Sequence, residues 1–363
     1  MESILTINSQ KYQLERYPKT DDKTLKAWSS AELLVLEYAI NKETKNIHLF
    51  NDRFGFWNCT LNTKKVTTVW SYASQKKAIK HNQILNNLKT DIVYKTPLDS
   101  LEKVELALIK IPKSLELFEL FLQQVHKSSI SSTEVVCGFM TKYFSSSFLK
   151  IASNYFEVLD QSKAWKKARL LVLKKPKNKI EYKDTLNKIS YKGKEFCQYY
   201  GVFSSGKIDI GTQFFLQHIM VLPNEFKVLD LACGNGVIAY DLLNKYPKTE
   251  VTLIDDFNLA IASSKLNLKN TKATFICGND LHDLEENYFD LVVSNPPFHF
   301  EYENNIEIAL ELFKGVIRVL NKNGRFVLVA NKHLNYKTHL SILFSKVTVV
   351  KENVRFIIYE CVC

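Results

Sequence analysis

From Phe226 onward the chain alternates short apolar runs with stretches of helical spacing, and this rhythm restricts the fold more than any other feature. Lys227 to Leu231 has strand length, and Gly236 to Asn244 follows with Val237, Tyr240 and Leu243 at helical spacing. Further strands are expected at Glu250 to Ile254, Ala273 to Cys277, Phe289 to Ser294 and Arg325 to Ala330, with helices at Ala260 to Leu268 and Ile306 to Leu320. Such alternation implies βαβ crossovers and a parallel sheet covered on both faces. Val347 to Val350 and Val354 to Tyr359 lie too close together for a crossover helix, so they are expected to form an antiparallel hairpin. The expected class is therefore α/β, a seven-stranded, mostly parallel sheet with an antiparallel edge hairpin and its ligand at the carboxyl ends of the strands.

The first half repeats the rhythm less clearly, with strand candidates at Ile47 to Phe50, Thr67 to Trp70, Leu106 to Ile109 and Val135 to Gly138. The 363 residues suffice for two domains of ordinary size, and a duplicated fold is expected. Lys174 to Lys194, rich in Lys and Asn and containing Pro176, is expected to hold the boundary. Charge divides the halves as well. Residues 1–190 hold 31 of the 49 Lys and Arg against 19 of the 38 Asp and Glu. The second half is near neutral, so a polyanion such as RNA would be drawn to the first.

No apolar run approaches the roughly 20 residues that cross a bilayer, and Met1 to Arg16 lacks the pattern of a secretory signal. A cytoplasmic protein with no membrane partner is expected. The seven cysteines show no paired CxxC spacing, so they are read as reduced, with no metal site, and Cys361 and Cys363 as alternate residues of a terminal strand.

After the first expected strand of the second half stands Asp230-Leu-Ala-Cys-Gly-Asn-Gly236. Gly234 and Gly236 allow a sharp turn and close approach of backbone to a ligand. Asp230 can accept from the ammonium of a methionine moiety. Asp255, at the end of the second strand, can grip two ribose hydroxyls, and Asn279 and Asp280 follow the third strand within reach of an adenine. The segment Gly234 to Ala239 also fits the dinucleotide pattern, so the loop alone does not separate NAD from S-adenosylmethionine. The acid four residues before Gly234 favours S-adenosylmethionine, because it would repel a pyrophosphate and hold an ammonium.

The fourth strand runs into Ser294-Asn295-Pro296-Pro297-Phe298-His299. Two prolines remove two N–H donors, so the turn accepts and does not donate. That suits an exocyclic amine, whose two N–H groups would bond to the Asn295 oxygen and the Pro296 carbonyl while its lone pair faces a sulfonium methyl. Asn295, Pro296, Pro297 and Phe298 are the expected catalytic residues, with Phe298 a stacking face for an extruded base. His299 reads as a loop residue in preference to a proton relay.

These residues resemble the bacterial ribosomal-RNA guanine-N2 methyltransferases of the RlmG/RsmC group. Gly201-Val-Phe-Ser204 and Asp209-Ile-Gly211-Thr212 are similar to that family's segment before the first strand, which covers the cofactor; Asn295 to His299 and Ala330-Asn-Lys-His-Leu334 also match. Within the family the first half is most similar to the large-subunit branch, on Ala164 to Leu170, Ile109 to Lys113 and Asn51 to Gly55. The resemblance implies two tandem Rossmann-like class I methyltransferase domains. Residues 1–185 would be a degenerate, RNA-binding copy, since Asn51 to Gly55 has one glycine and Ile111-Pro112 lacks the asparagine. Residues 186–363 would be the catalytic domain, using S-adenosyl-L-methionine held by Asp209, Gly211, Thr212, Asp230, Gly234, Gly236, Asp255, Asn279, Asp280 and Asn295. Ala232 stands where the family has glycine, and its methyl group is expected to crowd the cofactor.

The implied reaction is methylation of a guanine N2 amine in large-subunit (23S) ribosomal RNA, naked or in an assembling particle, by a monomer. The alternatives are the small-subunit RNA, a protein glutamine or a DNA adenine; a protein substrate would not need the basic first half, and no separate DNA-recognition region is evident. Lys163 to Lys179 contains eight Lys or Arg, no acid, and Trp165. Lys163, Trp165, Lys166, Lys167, Arg169, Lys174 and Lys175 are the expected RNA contacts.

Overall fold

The computed structural model describes residues 3–363 except 21, 23, 45, 90, 270, 297, 298, 301, 302 and 305. It divides into two compact units, Met1–Thr185 and Leu186–Cys363. In the second unit the sheet strands are β8 (Lys227–Leu231), β9 (Glu250–Asp255), β10 (Ala273–Cys277), β11 (Phe289–Ser294), β12 (Leu320–Asn331), β13 (Lys346–Glu352) and β14 (Phe356–Val362). Their spatial order is β10-β9-β8-β11-β12-β14-β13. The first five are parallel, and β14 and β13 close the edge antiparallel. This is the sheet the apolar rhythm implied.

Burial on both faces explains why the strands read as continuous apolar runs. Val228, Leu291, Val293, Val327 and Val329 pack on the side of helices Ile210–His218 and Val237–Lys245. Their neighbours Leu229, Val292, Phe326 and Leu328 pack on the other side with Phe313, Val316, Tyr336 and Leu340. Successive residues of a strand point to opposite faces, so each run feeds two cores.

The first unit repeats the plan. Its strands are β1 (Ile47–Phe50), β2 (Val66–Val69), β3 (Val93–Lys95), β4 (Val104–Lys110), β5 (Ser129–Met140), β6 (Phe156–Gln161) and β7 (Ala168–Pro176), in the order β3-β2-β1-β4-β5-β7-β6. Each unit also opens with a hairpin that the apolar pattern did not reveal, Ile4–Ile7 with Gln10–Gln13 and Leu186–Tyr191 with Lys194–Tyr199. Asn8-Ser9 and Lys192-Gly193 turn them with positive φ at both positions, the backbone that suits the twist of a two-residue hairpin. The Lys-rich stretch read as a boundary thus ends in a strand. Ile189 and, from its partner, Phe196 are buried in the core of the second unit.

Candidate active site

The second sheet carries its polar residues where four strands end side by side, in the order β10, β9, β8, β11. Beyond β8 the loop alternates into the left-handed region, with Ala232 at φ +60, Gly234 at +56 and Gly236 at +79. The two glycines do different work. A Cβ on Gly234 would meet nothing within 4 Å, so its backbone faces open space; one on Gly236 would stand 2.9 Å from Ser264 Cβ. Gly236 thus serves packing against helix Asn258–Asn267, where the sequence suggested contact with a ligand. Ala232 adopts a backbone that costs a non-glycine residue about 1–2 kcal/mol.

Two carboxylates support the loop from behind. Asp255 Oδ2 accepts from Gly234 N–H at 3.0 Å and Oδ1 from Phe257 N–H at 2.9 Å. Asp230 is fully buried; Oδ2 accepts from Ala239 N–H at 3.1 Å, and Oδ1 has no hydrogen-bond partner among the described residues. Burial pushes the Asp230 carboxyl up to about 7, with the Asp255 charge adding and the Ala239 bond opposing. Burial likewise raises Asp255 to about 6, against the bonds from Phe257 and Gly234.

β11 is tied to β8 by Ser294 Oγ, which donates to Leu231 O at 2.7 Å. The next residue, Asn295, donates through Nδ2 to Thr212 Oγ1 at 2.9 Å and Asp209 Oδ2 at 3.2 Å. Asp209 is the N-cap of helix Ile210–His218, and the same Oδ2 accepts from Thr212 N–H at 2.9 Å. With its amide nitrogen committed, Asn295 offers a ligand its acceptor, Oδ1. Pro296 is buried; Pro297 and Phe298 lie outside the described residues, as does the side chain of His299.

Asp209, Thr212, Gly234 and Asn295 line one cleft with Phe203, Ser204, Lys207, Ala232, Cys233 and Asn235. The other expected cofactor residues are not part of its lining. Gly211 packs on Phe356, where a Cβ would lie 2.9 Å from the ring. Asp230, Gly236 and Asp255 form the supporting layer. Asn279 and Asp280 follow β10, with Asn279 Oδ1 buried and without a hydrogen-bond partner among the described residues and Asp280 Oδ1 accepting from His282 N–H at 3.3 Å. Sequence reasoning placed Phe203 in a segment covering the cofactor without giving the ring a role, and missed Lys207 and the buried Gln198, which ties their segment to the glycine loop through Asn235 Nδ2 at 2.9 Å. Their only signal was the spacing before β8. Two features suit S-adenosylmethionine: the loop open at Gly234 for close approach, and, in the layer behind it, a buried Asp230 oxygen without a hydrogen-bond partner among the described residues.

Residues 2–178 match the RLMG N-terminal domain family and residues 193–360 the methyltransferase small domain family. The chain is a methyltransferase. Its methyl donor is S-adenosylmethionine. The fold is similar to that of the T. thermophilus 16S rRNA N2 methyltransferase RsmC, solved with AdoMet and guanosine, at 18% identity and a TM-score of 0.78, over 99% of this chain and 96% of that one. At that identity the likeness is one of fold. A TehB-like SAM-dependent methyltransferase from Corynebacterium glutamicum matches 42% of this chain and 88% of its own at 22% identity and a TM-score of 0.34. No helix among the described residues is long and apolar enough to cross a membrane.

The first unit of the methyltransferase keeps the frame and replaces the chemistry. Ile47 pairs with Val66 and Leu106 as Val228 pairs with Val251 and Leu291. That register puts Trp70 at the position of Asp255, Arg53 at that of Gly234 and Lys110 at that of Asn295. Gly55, at φ +77, corresponds to Gly236, and Asn51, at +56, to Ala232. Lys110 Nζ lies 3.3 Å from Glu32 Oε2, and Glu32 follows its N-cap Ser29 by three residues as Thr212 follows Asp209. An amide–hydroxyl bond in one unit is an ion pair in the other.

The expected RNA contacts do not form one patch. Trp165 and Ala168 bridge across a two-residue turn, so Lys163, Trp165, Lys166 and Lys167 share an exposed hairpin tip, with Lys166 Nζ 4.6 Å from the Trp165 ring centre. Lys174 and Lys175 lie at the far end of β7, about 23 Å from Lys167 at ~3.3 Å per residue. Lys174 is paired with Glu134 at 3.2 Å, and Arg169, on the same strand, is half-buried.

Proposed function

We propose that the chain methylates the exocyclic N2 amine of a specific guanine in 23S ribosomal RNA. The observation that carries the reaction type is Asn295, whose amide nitrogen is held by Thr212 and Asp209 so that an acceptor remains beside the open glycine loop. An aromatic amine is a weak nucleophile because its lone pair is delocalised. Asn295 Oδ1 and the Pro296 carbonyl accept its two N–H groups, which favours a tetrahedral nitrogen and fixes its direction. When bound in the cleft, S-adenosylmethionine supplies an activated methyl group on its sulfonium sulfur. Asp230 would hold the ammonium of the methionine part, Asp255 the ribose hydroxyls, and Asn279 and Asp280 the adenine. The proton leaves after transfer, so no strong base is required of the chain.

The first unit is the silent copy and binds RNA. Trp70, Arg53 and Lys110 stand where the second unit has its carboxylate, its open glycine and its acceptor, and the hairpin tip at Lys163 to Lys167 offers charge and an aromatic face for RNA. The match of residues 2–178 to the RLMG N-terminal domain supports the large-subunit substrate. A second reading, the 16S RNA, is supported by the fold shared with RsmC along 99% of the chain. Incubating the protein and labelled S-adenosylmethionine with stripped 23S and 16S RNA from a strain deleted for its gene separates them. Label in a single 23S guanine is expected; label in 16S RNA alone would establish the second reading, and label in neither would end both.

A further inference from the structure

Phe203 has no part in the site as built so far. Its ring lines the same cleft as Gly234 and Asn295 and is 68% exposed, whereas a side chain of this kind is ordinarily buried. The exposure does not come from a slack backbone. Gln198, fully buried, donates through Nε2 to the carbonyls of Val202 at 3.0 Å and Phe203 at 3.2 Å. Its Oε1 is held in turn by Asn235 of the glycine loop. Just beyond, Ser204 Oγ donates to Lys207 O at 2.9 Å and Lys207 N–H to Ser204 O at 3.4 Å, closing a turn that presents Lys207 on the same rim. An aromatic face and a cation are thus held together at the mouth of the cleft, above a floor of Gly234, Asp209 and Thr212.

We propose that Phe203 is the face on which the target guanine stacks, and that Lys207 meets a phosphate of the flanking backbone. The inference rests on the RNA reading above. A base carried by a polymer must enter the cleft from solvent, across the rim, while the floor takes the small cofactor. Stacking on a rigid ring suits a base turned out of its helix, because every base has a π-face. Phe298, outside the described residues, is not needed for this.

The test is methyl transfer to stripped ribosomal RNA by the full chain, with S-adenosylhomocysteine affinity measured alongside by calorimetry. Phe203→Ala should lower kcat/KM for RNA by about 10- to 100-fold and leave S-adenosylhomocysteine affinity unchanged, while Phe203→Tyr keeps most of the activity. Lys207→Ala should weaken RNA binding and flatten its salt dependence by about one unit of slope. If Phe203→Ala instead loses S-adenosylhomocysteine affinity in step with activity, the ring covers the cofactor and the proposal is overturned; wild-type kcat/KM in that variant overturns it as well. Absence of transfer by the wild-type chain sinks the RNA reading and this proposal with it, whereas wild-type transfer with an indifferent Phe203 sinks the proposal alone.

Discussion

One oxygen, Asp209 Oδ2, both caps helix Ile210–His218 and holds Asn295, so two substitutions of Asp209 separate a stability effect from a positioning effect. Asparagine caps as well as aspartate, and its Oδ1 can take both bonds. Only the charge is lost, which roughly halves the bond to Asn295. That costs about 1 kcal/mol, or about fivefold in kcat/KM, with an unchanged melting temperature. Asp209→Ala loses the cap, about 1 kcal/mol, which lowers Tm by about 2–4 °C for a unit of this size. It also frees the Asn295 amide, and a lost bond to a charged group, about 1.5–3 kcal/mol, predicts a fall in kcat/KM of about 10- to 150-fold. The decisive measurement is the double variant with Asn295→Ala. If Asp209 acts by aiming Asn295, removing it from an enzyme already lacking that side chain should cost little further activity. Additive losses would refute the reasoning and make Asp209 a direct contact of a substrate.

Asn295→Ala itself should lower kcat/KM by about 10²- to 10³-fold, leaving a residual transfer that long incubations can read, while S-adenosylhomocysteine affinity, read by calorimetry, stays near that of the parent; activity near that of the parent would contradict the mechanism. Because burial raises the Asp230 carboxyl to about 7, its folded form keeps a proton that the unfolded chain has lost. Its contribution to stability is present at low pH and lost as pH rises through about 7, while holding an ammonium requires the charged form. Cofactor affinity should therefore strengthen as pH rises through about 6 to 7, and a titration of Asp230→Asn should be flatter. Ala232→Gly relieves about 1–2 kcal/mol of left-handed strain against about 0.4–1 kcal/mol of added chain entropy, so thermal unfolding should show a small gain in Tm; a loss would mean that the alanine methyl packs usefully. Reversing charge at Lys166 and Lys167 should weaken RNA binding and flatten its salt slope by about two units, and an unaltered slope would remove the hairpin tip from the interface.

The second sheet was legible because its central strands β8, β11 and β12 are buried on both faces, which leaves apolar runs that survive any register. β1, with all four residues buried, was equally plain. The two opening hairpins were not, since their strands carry Lys and Gln on a solvent face and turn at Asn8-Ser9 and Lys192-Gly193, of which only the second holds a glycine. At the site, chemistry was easier to read than division of labour. Asp209, Thr212, Gly234 and Asn295 meet in one cleft, but pattern alone could not tell the glycine that opens it from Gly236, which packs on Ser264. The basic run from Lys163 to Lys179 is one stretch in the sequence and two places in the fold, because adjacency in sequence becomes distance along an extended strand. Phe203 stood in the segment Gly201-Val-Phe-Ser204 without a role of its own, because nothing in the order of residues says which aromatic rings remain in water.

The ion pair between Lys110 and Glu32 bears on how the two halves could diverge further. Glu32 is fully buried and Lys110 partly so, and taking the lysine away strands the buried carboxylate, at about 3–5 kcal/mol. A single change of Lys110 to asparagine would therefore unsettle the first unit before it supplied any acceptor, and Trp70 and Arg53 would still stand where the second unit has Asp255 and Gly234. In that half the residue standing at the acceptor's position is thus held in place by the stability of the fold itself.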